Sequence, residues 1–332
     1  RIAAGDKKNI KIKSGEAVRV FTGAKMPSNS STIIMQENTS INEDGIEILK
    51  TPSFGENYRI KGEDIKKNQK ILSRGSKINQ QNINLIAASG IRKIKVFKKI
   101  KIGFFTSGNE LRKPTSSLKN SEINNSNFFA LNSLLDQKFI SKKYFGNLKD
   151  NLKIVKNNLL RASINNDIII TAGGASVGDE DHLIKALSNI GNIFFWRAAI
   201  KPGRPVAVGK INNCYVICLP GNPVSSMITF SQFVMPSLIK LSGASPQEQF
   251  FLSAKVTTAI RKIKGRTEYQ RGFYEEKENG TFEVTPVASQ GSGILNSMSR
   301  ANCIIHLMDD LNNIKTGDSV LIEPFVANKV LN

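Results

Sequence analysis

Hydrophobic positions along this chain fall in short runs, and their spacing changes character several times. Residues 1–64 carry brief β-type stretches between turns: KIKSGEAVRVFTGAKMP, then TIIMQE, then the hairpin-like SINEDGIEIL. Within 65–98, Gln80–Ala88 has helical periodicity, Gly90 stands where a C-terminal cap belongs, and IRKIKVFKK predicts a strand after it. From about Lys99 to Ser242, apolar runs alternate with helical patterns. They predict a strand at 101–106, a helix near 126–137, a strand near 139–145, a helix near 150–163 and a strand from Asp167 to Thr171. A helix after Asp181, the strands Phe194–Ile200 and Tyr215–Leu219, and a last helix from Pro223 to about Leu241 complete this set.

Such a βα repeat predicts a doubly wound sheet with right-handed crossovers. SGASPQEQ then reads as a linker. The runs LSAKVTTAI, RGFYEE, TFEVTPV, NCIIHL and SVLIEPF predict a small β domain of the barrel-like kind. The expected fold class is therefore α/β multidomain: a front β domain (1–64), the remnant of a linker or helical domain (65–98), a doubly wound α/β domain (99–247) and a C-terminal β domain (248–332).

Bulk properties narrow the functional classes. The length of 332 residues calls for two to four domains. No run of eighteen apolar residues and no apolar leader at the start point to a membrane span or signal peptide, so neither is expected. The chain starts at Arg1 and reads as a piece of a longer protein. Cys214, Cys218 and Cys303 are sparse and lack redox or zinc spacing, which suggests buried, reduced thiols in a cytoplasmic protein. The net charge of +20 is spread along the chain without RNA-binding, helix-turn-helix or zinc-finger spacing. It reads as a solvated basic surface, with neither nucleic acid nor membrane as a partner.

Three glycine-rich turns, each ending an apolar run, carry the candidate chemistry. In TAGGASVGDED, Gly173, Gly174 and Gly178 allow close backbone approach, Ser176 can bond an oxyanion, and Asp179, Glu180 and Asp181 bring acids to a helix start. Helix capping is the competing explanation for those acids. LPGNPVSS places Gly221, Asn222, Ser225 and Ser226 at a helix N-terminus, as an anion site or as an ordinary strand–helix junction. TSGNEL sets Glu110 just past a strand, where a carboxylate can hold Mg²⁺, polarise a water or cap. IKPGRP brings Lys201 and Arg204 around a turn, with Arg197 upstream. If FFWRAAI is one strand, Arg197 and Lys201 share a face, and its apolar character argues against an exposed edge.

Taken in order, FTGAKMP, IIMQE, RIKGEDI, LIAASGI, TSGNEL, INNSN, GGASVGDED, FWRAAIKPGRP, LPGNPVSS, YQRGF and GSGILNSMSRANC resemble the molybdopterin molybdenumtransferases, the MoeA family that includes the gephyrin E domain. The resemblance covers essentially the whole chain. It implies a molybdopterin-binding α/β domain and Mg²⁺-dependent hydrolysis of adenylylated molybdopterin, with AMP released and molybdate supplying molybdenum to the dithiolene sulfurs. A homodimer is implied too, with molybdopterin adenylyltransferase and molybdoenzymes as transient partners. By motif position, Glu110, Asp150 and Asp181 are the acids that hold metal or activate water, with Glu110 and Asp181 as metal ligands. Arg197, Lys201 and Arg204 hold phosphates and molybdate, Lys201 in a catalytic role. Thr22 and Arg59 come from the front domain, across the dimer, and Ser297 from the C-terminal domain. The family's leading segment with its DGYA motif is not in the sequence, so an incomplete first helical domain is expected. Asn109 and Asn125 stand where the family has Asp, and Arg197 and Arg204 where it has Lys. The alternatives in the same group of folds are a molybdopterin adenylyltransferase or a non-catalytic gephyrin-like scaffold.

Overall fold

The structure is a computed structural model and describes residues 1–174, 182–245 and 249–325. It separates into two compact units, Arg1–Ile71 and Leu72–Asn332.

In the first unit the antiparallel hairpin β1 (Thr39–Asn42) and β2 (Gly45–Ile48) forms where SINEDGIEIL predicts it. The other two β-type stretches form no ladder. They run as turns, with isolated bridges Ile2–Val20 and Lys11–Ser28, and Gln36–Asn38 is a single 3₁₀ turn.

The second unit begins with α1 (Gln80–Ala88), capped by Asn79, whose side chain accepts from the Asn82 N–H. Gly90 follows with φ +73°, the left-handed turn that ends a helix. The strand expected after it does not form: among the described residues 91–99 pairs with no other segment, and the sheet starts at Ile100.

The central sheet comes next: β3 (Ile100–Ser107), a two-strand clip of β4 (Leu111–Arg112) and β5 (Ile123–Asn124), α2 (Ser126–Leu134), β6 (Ile140–Leu148), α3 (Leu152–Ser163), β7 (Ile168–Ala172), α4 (His182–Ile190), β8 (Asn192–Trp196), β9 (Ile200–Lys201), β10 (Ala207–Ile211) and β11 (Cys214–Leu219). Strand order is β6-β3-β7-β11-β10-β8, with β6, β3, β7 and β11 parallel and β10 antiparallel to both its neighbours. Strands β3, β7 and β11 are buried on both faces, so they read as unbroken apolar runs. Alternate side chains serve opposite cores. Phe105, Ile169 and Val216 pack with Val155, Leu159 and Ala162 of α3 and Leu183 and Leu187 of α4. Phe104, Ile168, Ile170 and Leu219 pack with Leu131 of α2 and with Phe230, Val234 and Leu238. The sheet is therefore doubly wound. Cys214, Cys218 and Cys303 are all buried, and burial pushes the Cys214 and Cys303 thiols up to about 12.

The last helix opens with Pro223 in its first turn as α5 (Pro223–Thr229), widens into a π turn over Phe230–Val234 and ends as α6 (Met235–Leu241). Beyond it come β12 (Leu252–Val256), β13 (Thr267–Glu276), β14 (Phe282–Pro286), α7 (Leu295–Ser299), β15 (Cys303–Leu307) and β16 (Ser319–Pro324). Five strands close in the order β14-β12-β16-β15-β13, with β13 pairing back to β14, around Val256, Val284, Ile305, Leu307 and Ile322. This is a small closed barrel.

Val224 and Ile228 of α5 pack on Ile304 of the barrel. Beside them the Glu323 carboxylate accepts from Gln232 Nε2 at 2.7 Å and from His306 Nε2 at 3.0 Å. Burial opposes the ionisation of Glu323, but these hydrogen bonds outweigh it and hold the carboxyl below its ordinary value. A depressed acid stabilises the fold above its unfolded pKa, and that contribution is lost as pH falls through the folded value. Glu323→Gln is therefore expected to cost about 1–2 kcal/mol at neutral pH. It should also flatten the acid limb of stability below about pH 4.5. Chemical denaturation repeated across pH checks both.

Candidate active site

The register of the central sheet brings its strand ends to one level. Ser107 pairs with Leu148, Thr106 with Ala172, and Ala172 with Leu219. On the other flank Thr171 pairs with Cys218, Cys218 with Ala207 and Ala207 with Trp196. The segments that leave these ends, starting at Gly108, Lys149, Gly173, Arg197 and Pro220, therefore line one edge, where open α/β sheets bind ligands.

Three of the turns touch. Gly173 has φ +98°, and a Cβ there would stand 2.6 Å from the Ser107 carbonyl oxygen. A Cβ on Gly174 would lie 3.3 Å from Ser107 Oγ, and one on Gly221 would lie 3.5 Å from the Gly173 Cα. The Gly173 N–H donates to the Leu219 carbonyl at 3.1 Å. At Gly173 glycine is required, because a Cβ would meet the backbone of β3.

Asparagines set these turns. Asn147 Nδ2 donates to the Gly108 carbonyl, and Asn127 Nδ2 donates to the Gly221 carbonyl, each at 2.7 Å. Asn125 accepts from the Phe128 N–H as the cap of α2 and donates to Thr106 Oγ1 at 2.9 Å. The amide group serves both bonds, accepting through its oxygen and donating through its nitrogen. Asn109 and Asp150 bond reciprocally: the Asn109 N–H to Asp150 Oδ2 at 3.3 Å, the Asp150 N–H to Asn109 Oδ1 at 3.4 Å. The amide keeps the acceptor without a second negative charge beside Asp150. Asn127, in the first turn of α2, and Asn147, near the end of β6, were missed from the sequence.

Glu110 is exposed, its carboxylate lies against Gly108, and among the described residues that carboxylate has no hydrogen bond or ion pair. Its carbonyl accepts from the Ile123 N–H, so the β4–β5 clip pins its backbone. Glu110 and Asp150 are hard oxygen donors on adjoining strand ends, a donor set that suits Mg²⁺. Among the described residues no group of three potential ligands comes together. Asp181 and Ser176 lie outside the described residues.

Two expectations about the basic segment are corrected. Strand β8 ends at Trp196, and Arg197 leaves the sheet with φ +76°, so Arg197 and Lys201 do not share a strand face. Lys201 belongs to β9, which joins the barrel sheet. Strand β8 is also an exposed edge in spite of its apolar sequence, with Phe194 57% exposed. The Arg197 guanidinium stacks on Trp196, 4.5 Å from the ring centroid. The Arg197 N–H donates to Val206 and the Ala198 N–H to Arg204, closing the loop that carries Lys201. Arg204 is exposed.

Asn222 donates to Ser292 Oγ at 2.9 Å, and Ser225 and Ser226 are buried at the start of α5. Ser297 is buried in the barrel region, accepting from Arg271 Nε at 3.1 Å and donating to the Ile294 carbonyl. In the first unit Thr22 sits in an exposed turn beside Phe21, whose ring lies under the Arg1 and Arg19 guanidiniums, and Arg59 is exposed.

Comparison with known proteins adds a class. Residues 103–240 match a family described as "Probable molybdopterin binding domain", 1–90 match "MoeA N-terminal region (domain I and II)", and 253–325 match "MoeA C-terminal region (domain IV)". Fold and site thus define a molybdopterin-binding α/β domain linked to a MoeA-type barrel. The molybdopterin molybdenumtransferase of Haemophilus influenzae is 37% identical over 317 residues, 94% of this chain and 78% of that protein. Its Nostoc counterpart is 31% identical over 327 residues, 97% of this chain and 75% of that one. The solved molybdopterin biosynthesis moeA protein of Pyrococcus horikoshii superposes with a TM-score of 0.80 at 28% identity, covering 98% of this chain and 80% of its own. The chain belongs to the molybdopterin molybdenumtransferase family.

Proposed function

We propose that this chain catalyses the insertion of molybdenum from molybdate into adenylylated molybdopterin, with hydrolytic release of AMP, a late step of molybdenum cofactor biosynthesis. The observation that carries the reading is the convergence of the Ser107–Gly108, Gly173–Gly174 and Gly221 turns at one sheet edge. Glycines without side chains let a phosphate-bearing ligand approach the backbone at this edge.

In this reading Asp150 accepts a proton from the water that attacks one phosphorus of the phosphoanhydride; the water oxygen stays on that phosphate and the bridging oxygen leaves with the other. Lys201, Arg197 and Arg204 hold the phosphates and molybdate, and Asn222 and Ser225 orient the ligand at the start of α5. Ser176 and Ser297 belong to the same substrate-binding set. Glu110, with Asp181, would hold Mg²⁺, which when bound neutralises charge building on the phosphate oxygens. A homodimer, a cytoplasmic location, and transient exchange with an adenylyltransferase and with molybdoenzymes are part of the same reading. Among the described residues no helix is long and apolar enough to cross a membrane.

The test is AMP release from adenylylated molybdopterin, with molybdate and Mg²⁺ present or omitted. Release is expected to need both, and Glu110→Gln and Asp181→Ala are each expected to slow it by about tenfold or more. Binding of the adenylate without release under any condition would point instead to a scaffold.

A further inference from the structure

Lys201 takes its position from the barrel as well as from the α/β domain. Strand β9 runs parallel to β13, with Ile200 opposite Thr267 and Lys201 opposite Glu268. Lys201 Nζ lies 3.2 Å from Glu268 Oε2, and Gln270 Nε2 donates to that same oxygen at 3.0 Å. The two ends of the ion pair differ in setting: the Glu268 side chain is 6% exposed and that of Lys201 51%.

A buried carboxylate held by an amide is a fixed point, whereas an ammonium on four methylenes is not. The pair thus fixes one end of a flexible cation and leaves its other N–H donors on the solvent side. That cation lies on the loop that leaves β8 at the same sheet edge as the glycine turns. We propose that Glu268, held by Gln270, is the positioning residue for Lys201, through which the barrel sets the oxyanion-holding cation of the α/β domain. This rests on the functional reading above, in which Lys201 holds molybdate or phosphate. The competing account is a bridge that only fastens β9 to the barrel.

Four full-length proteins separate the two: wild type, Glu268→Gln, Lys201→Ala and the double variant. Glu268→Gln keeps the shape and the contact with Gln270 but removes the charge. It is expected to raise the KM for molybdate in AMP release about fivefold or more while changing kcat less than about twofold. In the Lys201→Ala background the same change is expected to do nothing further, because its effect passes through the ammonium. An equal penalty in both backgrounds, or an unchanged or lowered KM, would overturn the proposal.

A second readout does not depend on turnover. In the ligand-free proteins, acetic anhydride labelling of Lys201, followed by peptide mass spectrometry, is expected to run about threefold faster in Glu268→Gln than in wild type, because the ammonium loses its partner. Equal labelling rates would show that Glu268 does not hold Lys201. A wild type that binds substrate without releasing AMP counts against the functional reading, and labelling then decides the role of Glu268.

Discussion

Replacing Arg271 with leucine is expected to cost about 3–5 kcal/mol of stability, concentrated at one end of the barrel. Arg271 is fully buried on β13. Its Nε donates to Ser297 Oγ at 3.1 Å, and its Nη2 donates to the Ser289 carbonyl at 3.2 Å and the Gly291 carbonyl at 3.1 Å. Its own backbone is clasped by Gln290, which accepts from the Arg271 N–H and donates to the Arg271 and Val287 carbonyls. One side chain thus organises the connection from β14 to α7, including the position of Ser297. Among the described residues no carboxylate pairs with the guanidinium, and burial pushes its pKa down to about 10, so it remains a cation at neutral pH.

Exchanging a buried ion for a hydrophobic residue can be neutral when its partners are also replaced. Here they stay behind: two carbonyls and a hydroxyl lose their donor, each at about 1–3 kcal/mol when buried. Arg271→Lys keeps the charge, but a point-like ammonium cannot reach three acceptors spread around a planar fork, so it is expected to recover less than half of the loss. Urea unfolding gives the total, and amide exchange over residues 287–297 locates it. A loss under about 1 kcal/mol would mean that the connection holds its shape without the guanidinium.

Much of this architecture was legible because its signals are local. The five barrel strands form where short apolar runs predict them, and the doubly wound sheet follows from alternating strand and helix patterns. Pro223 marks the last helix, although nothing in FSQFV announces the π turn. Two failures have one cause. IRKIKVFKK has strand periodicity, but pairing needs a neighbour, which a run of residues cannot show, and among the described residues it finds none. FFWRAAI looks continuous, yet Arg197 takes a left-handed turn, and Lys201 pairs with a residue 67 positions away. Such non-local pairing leaves no periodic trace.

The site divides in the same way. Glycine turns after apolar strands could be read directly, because their chemistry lies in the residues themselves. The bonds from Asn127 to Gly221 and from Asn147 to Gly108 depend on how β3, β6 and β11 are ordered in the sheet, which only the fold supplies. Glu268 escaped notice for that reason too, since it lies on the barrel and acts on a neighbouring domain.

Gly173→Ala is the substitution expected to reach furthest from a single methyl group. The residue has φ +98°, a conformation that costs an L-residue about 1–3 kcal/mol. Its new Cβ would also stand 2.6 Å from the Ser107 carbonyl oxygen, a backbone atom that cannot rotate away. Relief requires the ends of β3 and β7 to separate, against the parallel ladder that pairs Thr106 with Ala172. The expected loss is therefore about 2–4 kcal/mol of stability. Turnover in AMP release should fall further than stability alone explains, by about 10²-fold, because a shift of about 1 Å misplaces groups that must meet the substrate together. Gly221→Ala is the internal control. Its φ is not in the left-handed range, and among the described residues its added Cβ meets the Gly173 Cα at 3.5 Å, an ordinary contact, so a cost below about 1 kcal/mol is expected. Thermal unfolding and AMP release measured on both variants test the contrast. Equal effects would mean that the three turns tolerate separation, and the crevice would then owe its shape to the segments beyond them.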